Sequence, residues 1–188
     1  MFRNHLSRIG VLATVLALAA VTAGPAAADP AGQCPPVSGC IPDDFNHNFC
    51  FSAGTSSTVE SRGQSAMQHL DEQTGYSDSR VGCTSTTDVM IKSGELDPGV
   101  RGNYVCTAKN SAGKCERSVV TANWKELYDG INWTKTLCHE IGHSVGLDHG
   151  EGGDHGSPVD CMRSGSVSTW TVTYNDHHVW HANARKVY

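Results

Sequence analysis

Past residue 28 the sequence has no apolar run near the roughly 20 residues a membrane-spanning helix needs. It has no basic surplus either: 14 Lys and Arg stand against 19 Asp and Glu, a formal net charge of −5. A nucleic acid or an anionic membrane surface asks for a basic face, so neither is expected as a partner. The nearest cysteine spacings, Cys34 to Cys40 and Cys106 to Cys115, are too wide for the C-x₂₋₄-C pairs of zinc ribbons and fingers. There is no internal repeat, and nothing calls for a second domain or an organic cofactor.

The start of the chain has its own pattern. Arg3 and Arg8 precede a short apolar run, Ile9 to Val21, and the small residues Ala26-Ala27-Ala28 come before Asp29. A positive start, a short apolar run and an A-x-A site read as a secretory signal peptide over residues 1–28. That leaves 29–188 as one domain of ordinary size, and the loss of two arginines takes its net charge to −7. No cysteine stands at the cleavage point to take a lipid, and all eight lie beyond it. An even count behind a signal peptide implies up to four disulfides and a secreted, extracellular protein.

Residues 29–46, rich in Pro and Gly, read as an extended arm pinned by Cys34 and Cys40. His47–Phe51 reads as a short strand. Ala66, Met67 and Leu70 recur at helical spacing within 61–73, with Gly75 as a stop. Arg80–Thr84 and Thr87–Ile91 are short β-prone runs. Val100–Thr107 and Ser118–Asn123 flank the turn-rich 109–113 and predict a hairpin that Cys106 and Cys115 can clamp. A helix is expected over Trp133–Val145, ending at Gly146, and another over Asp176–Lys186, capped by Asn175 or Asp176. Helices and strands mixed in this order make an α+β fold.

The chemistry concentrates in His139-Glu140-Ile141-Gly142-His143-Ser144-Val145-Gly146-Leu147-Asp148-His149. Residues four apart on a helix project from one face, so His139 and His143 can bind a single ion at about 2.0–2.1 Å. Leu137, Ile141 and Val145 sit roughly 200° around the axis and can face the core. Gly146 can take a left-handed conformation, end the helix and turn His149 back toward the same ion. Three protein ligands leave a fourth position for water, as in catalytic rather than structural zinc. Glu140, beside the first ligand, is then the general base for a zinc-activated water and the donor to the leaving amine.

This run resembles the metzincin motif HExxHxxGxxH, and Cys161-Met162-Arg163 supplies a candidate for the Met-containing turn that follows it in that superfamily. The chain is most similar to a small bacterial catalytic domain of matrixin type. The resemblance implies a five-stranded twisted mixed sheet, an active-site helix and a second long helix, with a cleft across one catalytic Zn²⁺. It also implies an edge strand, by position Val100–Thr107, along which a polypeptide substrate lies extended. Gly150, after the third histidine, matches no subfamily. Ser164 stands where astacins and serralysins place a tyrosine ligand. Asp148 falls one residue short of the aspartate ligand of snapalysin-type enzymes, so His149 is the third ligand expected.

Other features carry weaker readings. Gly39-Cys40-Ile41-Pro42-Asp43 is similar to a cysteine-switch segment, against which the even cysteine count makes Cys40 disulfide-bonded. Glu151, Asp154 and His155 within 150–156 form either a Ca²⁺ loop or a solvated one. His47, His69, His177, His178 and His181 read as polar or packing residues. Cys138 and Cys161 flank the zinc helix and the Met turn and are candidates to pair. The whole points to a monomeric secreted zinc endopeptidase; the rival is a non-catalytic secreted domain that keeps zinc for structure.

Overall fold

The computed structural model describes residues 40–149, 160–163, 165 and 173–184. The expected signal peptide, most of the 29–46 arm and the 150–156 loop lie outside them. The described residues build an α+β fold with one five-stranded mixed sheet and three helices. None of these helices is long and apolar enough to cross a membrane.

The strands are β1 (Asn46–Phe51), β2 (Ser77–Arg80), β3 (Val89–Gly94), β4 (Gly102–Lys109) and β5 (Cys115–Asn123). They lie in the order β2-β1-β3-β5-β4, every neighbouring pair parallel except β4 with β5. The expected hairpin forms, closed by the Cys106–Cys115 disulfide. The run expected at 80–84 is displaced: β2 spans 77–80 and overlaps the expected run only at Arg80. Its Ser-Asp-Ser-Arg sequence buries nothing, and it is a strand because its backbone pairs with Asn46–Phe49. The run expected at 87–91 is displaced toward the C-terminus, where Lys92, Ser93 and Gly94 pair with Thr121, Ala122 and Asn123.

Helix α1 (Ser57–Gln73) begins four residues before its apolar signal. Ser56 is its N-cap, its hydroxyl accepting the Val59 N–H at 3.3 Å, so polar residues open the helix without periodicity. Thr74 ends it by donating both its N–H and its hydroxyl to the Leu70 carbonyl; Gly75 is not the cap. Gly63 lets the helix close onto the sheet, since a Cβ there would stand 2.9 Å from the Phe51 ring.

Helix α2 (Gly130–Ser144) starts three residues early for the same reason: Asp129 caps it, accepting the Asn132 N–H at 2.8 Å. Leu137, Ile141 and Val145 are fully buried with Phe49, Met67, Leu70 and Ile91. Each such side chain contributes about 1.5–3 kcal/mol through the area it removes from water. Helix α3 (Asp176–Ala184) has Asn175 before its first residue, whose side-chain carbonyl accepts the His178 N–H at 2.8 Å. Two further disulfides, Cys50–Cys83 and Cys138–Cys161, fasten β1 to the β2–β3 connection and α2 to the turn at 160–163.

His47 joins β1 to the end of α2. The Ser144 hydroxyl donates to the Ile141 carbonyl, so at 2.7 Å it can only accept from His47 Nε2–H. His47 Nδ1 is then a buried lone pair without a partner, and burial pulls the ring's pKa down to about 4. Between about pH 6.5 and pH 4 the unfolded chain binds a proton there that the folded chain does not, so stability falls as pH falls through that window. The loss reaches about 3 kcal/mol by pH 4. His47→Gln should flatten this part of the stability–pH curve. Urea unfolding of both proteins from pH 7 to pH 4 measures it, and parallel curves would exclude His47.

Candidate metal centre

The centre is built on α2 and the turn that ends it. Gly146 has φ +82°. Its N–H donates to the His143 carbonyl at 3.0 Å, and the Leu147 N–H donates to the Gly142 carbonyl at 3.1 Å, the paired bonds of a Schellman motif. The reversal aims the Leu147 carbonyl at His143 Nδ1, 2.7 Å away, and brings His149 back over the helix. His139 Nδ1 meets the Cys161 carbonyl at 2.8 Å, across the connection that the Cys138–Cys161 disulfide fixes.

These contacts determine the protonation of both rings. A carbonyl only accepts, so Nδ1 carries the hydrogen in His139 and in His143, and each Nε2 presents a bare lone pair. The Nε2 atoms of His139 and His149 lie 2.8 Å apart, and each lies 3.2 Å from that of His143. With His139 and His143 lacking a proton to share at Nε2, their lone pairs repel until a cation stands between them. A point about 2.0–2.1 Å from all three nitrogens exists, the distance zinc takes to imidazole. The three residues fit a divalent metal ion of zinc type. The sequence-predicted His139, His143 and His149 are brought together; Asp148 is not in the group.

Charge and burial agree with that donor set. His139 and His143 are buried, whereas His149 is exposed, so the cluster opens to solvent on one side. Burial, followed by the Lys135 charge, lowers the His139 pKa far below its ordinary range. His143 falls to about 4, chiefly through burial, and His149 is lowered by burial and then by Lys135. Neutral imidazoles are the form a metal requires. Glu140 is buried, which raises its carboxyl to about 7 against a smaller lowering by Lys135. A carboxyl near 7 exchanges protons readily at neutral pH.

Several neighbours carried no signal in the motif. A Cβ on Gly102, the first residue of β4, would stand 2.6 Å from Glu140 Oε1, so the bare glycine gives the carboxylate its room. The Tyr104 ring lies 6.2 Å from that of His143. Lys135 is 6% exposed, and burial lowers its ammonium to about 8, which leaves it charged at neutral pH. It stands four residues before His139, one helical turn away. Met162 is buried against α2: a Cβ on Gly142 would meet its sulfur and, at 3.0 Å, the Tyr174 ring. Asp160 Oδ1 accepts the Met162 N–H at 2.8 Å, and Oδ2 accepts from Asn175 Nδ2 and from His178 Nδ1. His178, read as an ordinary polar residue, thus holds the turn that carries Cys161. Cys40, Cys106 and Cys115 also cluster, but all three are in disulfides and offer no thiolate, and there is no free cysteine among the described residues.

Purified protein should bind one zinc per chain, and His143→Ala should abolish binding, as read by elemental analysis after dialysis. Gly146→Ala should cost about 1–2 kcal/mol, because an L side chain is strained at positive φ. It should also weaken metal affinity, since Leu147 and His149 are placed by that residue. A variant as stable and as zinc-avid as wild type would exclude this account of the turn.

No family model matches the chain, and no curated protein does. Among solved structures it is similar to the crystal structure of myroilysin, at 14% sequence identity and a TM-score of 0.40, over 55% of this chain and 44% of that one. The match thus spans less than half of that protein's length, and the functional reading rests on the site itself.

Proposed function

We propose that the chain is a secreted zinc endopeptidase of metzincin, matrixin-like type, with residues 29–188 as its catalytic domain. The observation that carries the reading is the convergence of three Nε2 atoms within 2.8–3.2 Å, two of them on the helix that also bears Glu140 and the third on the turn that follows it. His139, His143 and His149 hold the ion. An ion held by them would supply Lewis-acid chemistry toward a peptide carbonyl and a water molecule.

The chain's own residues do the rest. Glu140 takes a proton from the attacking water on its carboxylate and returns it to the leaving amine nitrogen, so its protonation state is restored each turnover. The substrate lies extended along β4, the sheet edge whose first residue touches Glu140, and pairs its backbone there. Three disulfides among the described residues favour an oxidising, extracellular setting. A protein acting as a monomer on unfolded polypeptide fits this arrangement.

Glu140→Gln keeps the size of the side chain and removes its basicity. It should retain one zinc per chain and lose at least about a thousandfold in hydrolysis of a peptide library followed by mass spectrometry. Full activity would remove Glu140 from the mechanism. Wild-type protein that holds zinc and cleaves nothing would favour the rival, a non-catalytic zinc-stabilised binding domain.

A further inference from the structure

The face that bears the histidines is more cationic than the chain as a whole. Lys135 precedes His139 by one helical turn and so shares its face. Its Nζ lies 3.5 Å from His139 Nδ1, but that nitrogen already gives its hydrogen to the Cys161 carbonyl and has no lone pair to offer. No carboxylate oxygen among the described residues comes within 4.0 Å of the ammonium. A buried ammonium without an acceptor is costly, and a site that keeps one has a use for an anion.

The surrounding charges sharpen the point. Arg101 and Arg163 add positive potential at Lys135; Glu140 and Asp160 oppose it. Asp160 is already engaged by the Met162 N–H, Asn175 and His178, and Glu140 has its own role beside the metal centre. A divalent ion at the histidines would add further positive charge. In a chain of net charge −5, the groups acting at Lys135 together with its own charge are three basic against two acidic.

We propose that Lys135 is the recognition group of a carboxylate-binding subsite beside the three histidines, so that the preferred peptide carries Asp or Glu adjacent to the scissile bond. The ammonium donates to the carboxylate, while Arg101 and Arg163 strengthen the field that draws it in. This rests on the endopeptidase reading for its substrate, and the test separates the two.

Matched peptides differing only in Glu or Gln at each position flanking the cleavage site are compared in two ways. Binding to zinc-loaded Glu140→Gln protein is measured by calorimetry, and kcat/KM is measured with wild type. At one flanking position the Glu peptide should be favoured roughly tenfold to a hundredfold, the range of a charge-assisted hydrogen bond. Lys135→Met should bring that ratio to about one, and Lys135→Arg should preserve most of it, with zinc content checked in each. A wild-type ratio near one at every position, or a ratio unchanged in Lys135→Met, overturns the subsite. Should Lys135→Met fail to fold, Lys135→Gln replaces it, and the wild-type ratio alone still decides. Selective binding of the Glu peptide without any hydrolysis would keep the subsite and reject the endopeptidase; hydrolysis without selectivity would do the reverse.

Discussion

Two hydrogen bonds, His139 Nδ1 to the Cys161 carbonyl and His143 Nδ1 to the Leu147 carbonyl, determine what the rest of the centre can be. They fix the rings' tautomers and turn their Nε2 lone pairs toward each other and toward His149. Without a cation that convergence is repulsive, and with one it becomes a ligand set. A metal ion held there would therefore be coupled to local folding: whatever holds the rings in place would raise its affinity, and the ion would in turn stabilise the turn and the helix end.

The scaffold around those bonds is covalent and polar rather than merely apolar. The Cys138–Cys161 disulfide fastens the acceptor of one bond to the helix that carries the donor. Asp160 ties the same turn to α3 through His178 and Asn175. On the other side, His47 holds Ser144, next to His143, from within the sheet. His139 and His143 are thus supported from different elements: His139 through the turn at 160–163, His143 through its own helix end, with β1 bracing that end. Support of this kind outside the ligands sets ring orientation and basicity as much as ligand identity does.

That division explains what could be read in advance. The four-residue spacing of His139 and His143, the glycine three residues on and the apolar stripe of Leu137, Ile141 and Val145 are local facts of helical geometry, and the structure brings those residues where the spacing implies. The hairpin was legible because both arms are β-prone and a turn-rich run lies between them. Strand β2 was not, because Ser77-Asp78-Ser79-Arg80 has no apolar alternation and forms only by pairing with a strand 31 residues earlier. Both long helices begin before their periodicity does, since capping by Ser56 and Asp129 recruits polar first turns. Gly102 beside Glu140, and His178 behind Asp160, depend on contacts between residues 38 and 18 positions apart, which no spacing rule encodes.

The two edges of the sheet are not equivalent. Strand β2 is four residues of exposed, polar chain whose free edge is short. Strand β4 has eight residues, but its register with β5 breaks after Cys106, where the Cys106–Cys115 disulfide also pulls the hairpin together. Among the described residues, Gly102–Cys106 is therefore the regular part of this edge strand, and it is the stretch that begins against Glu140 and carries Tyr104 beside His143. Along it, side chains alternate, with Val105 exposed and Tyr104 and Cys106 turned inward. An extended peptide added there would run past the histidine cluster, whereas one added to β2 would have four strands between it and β4. The placement of the irregularity thus leaves the regular part of β4 next to the histidine cluster.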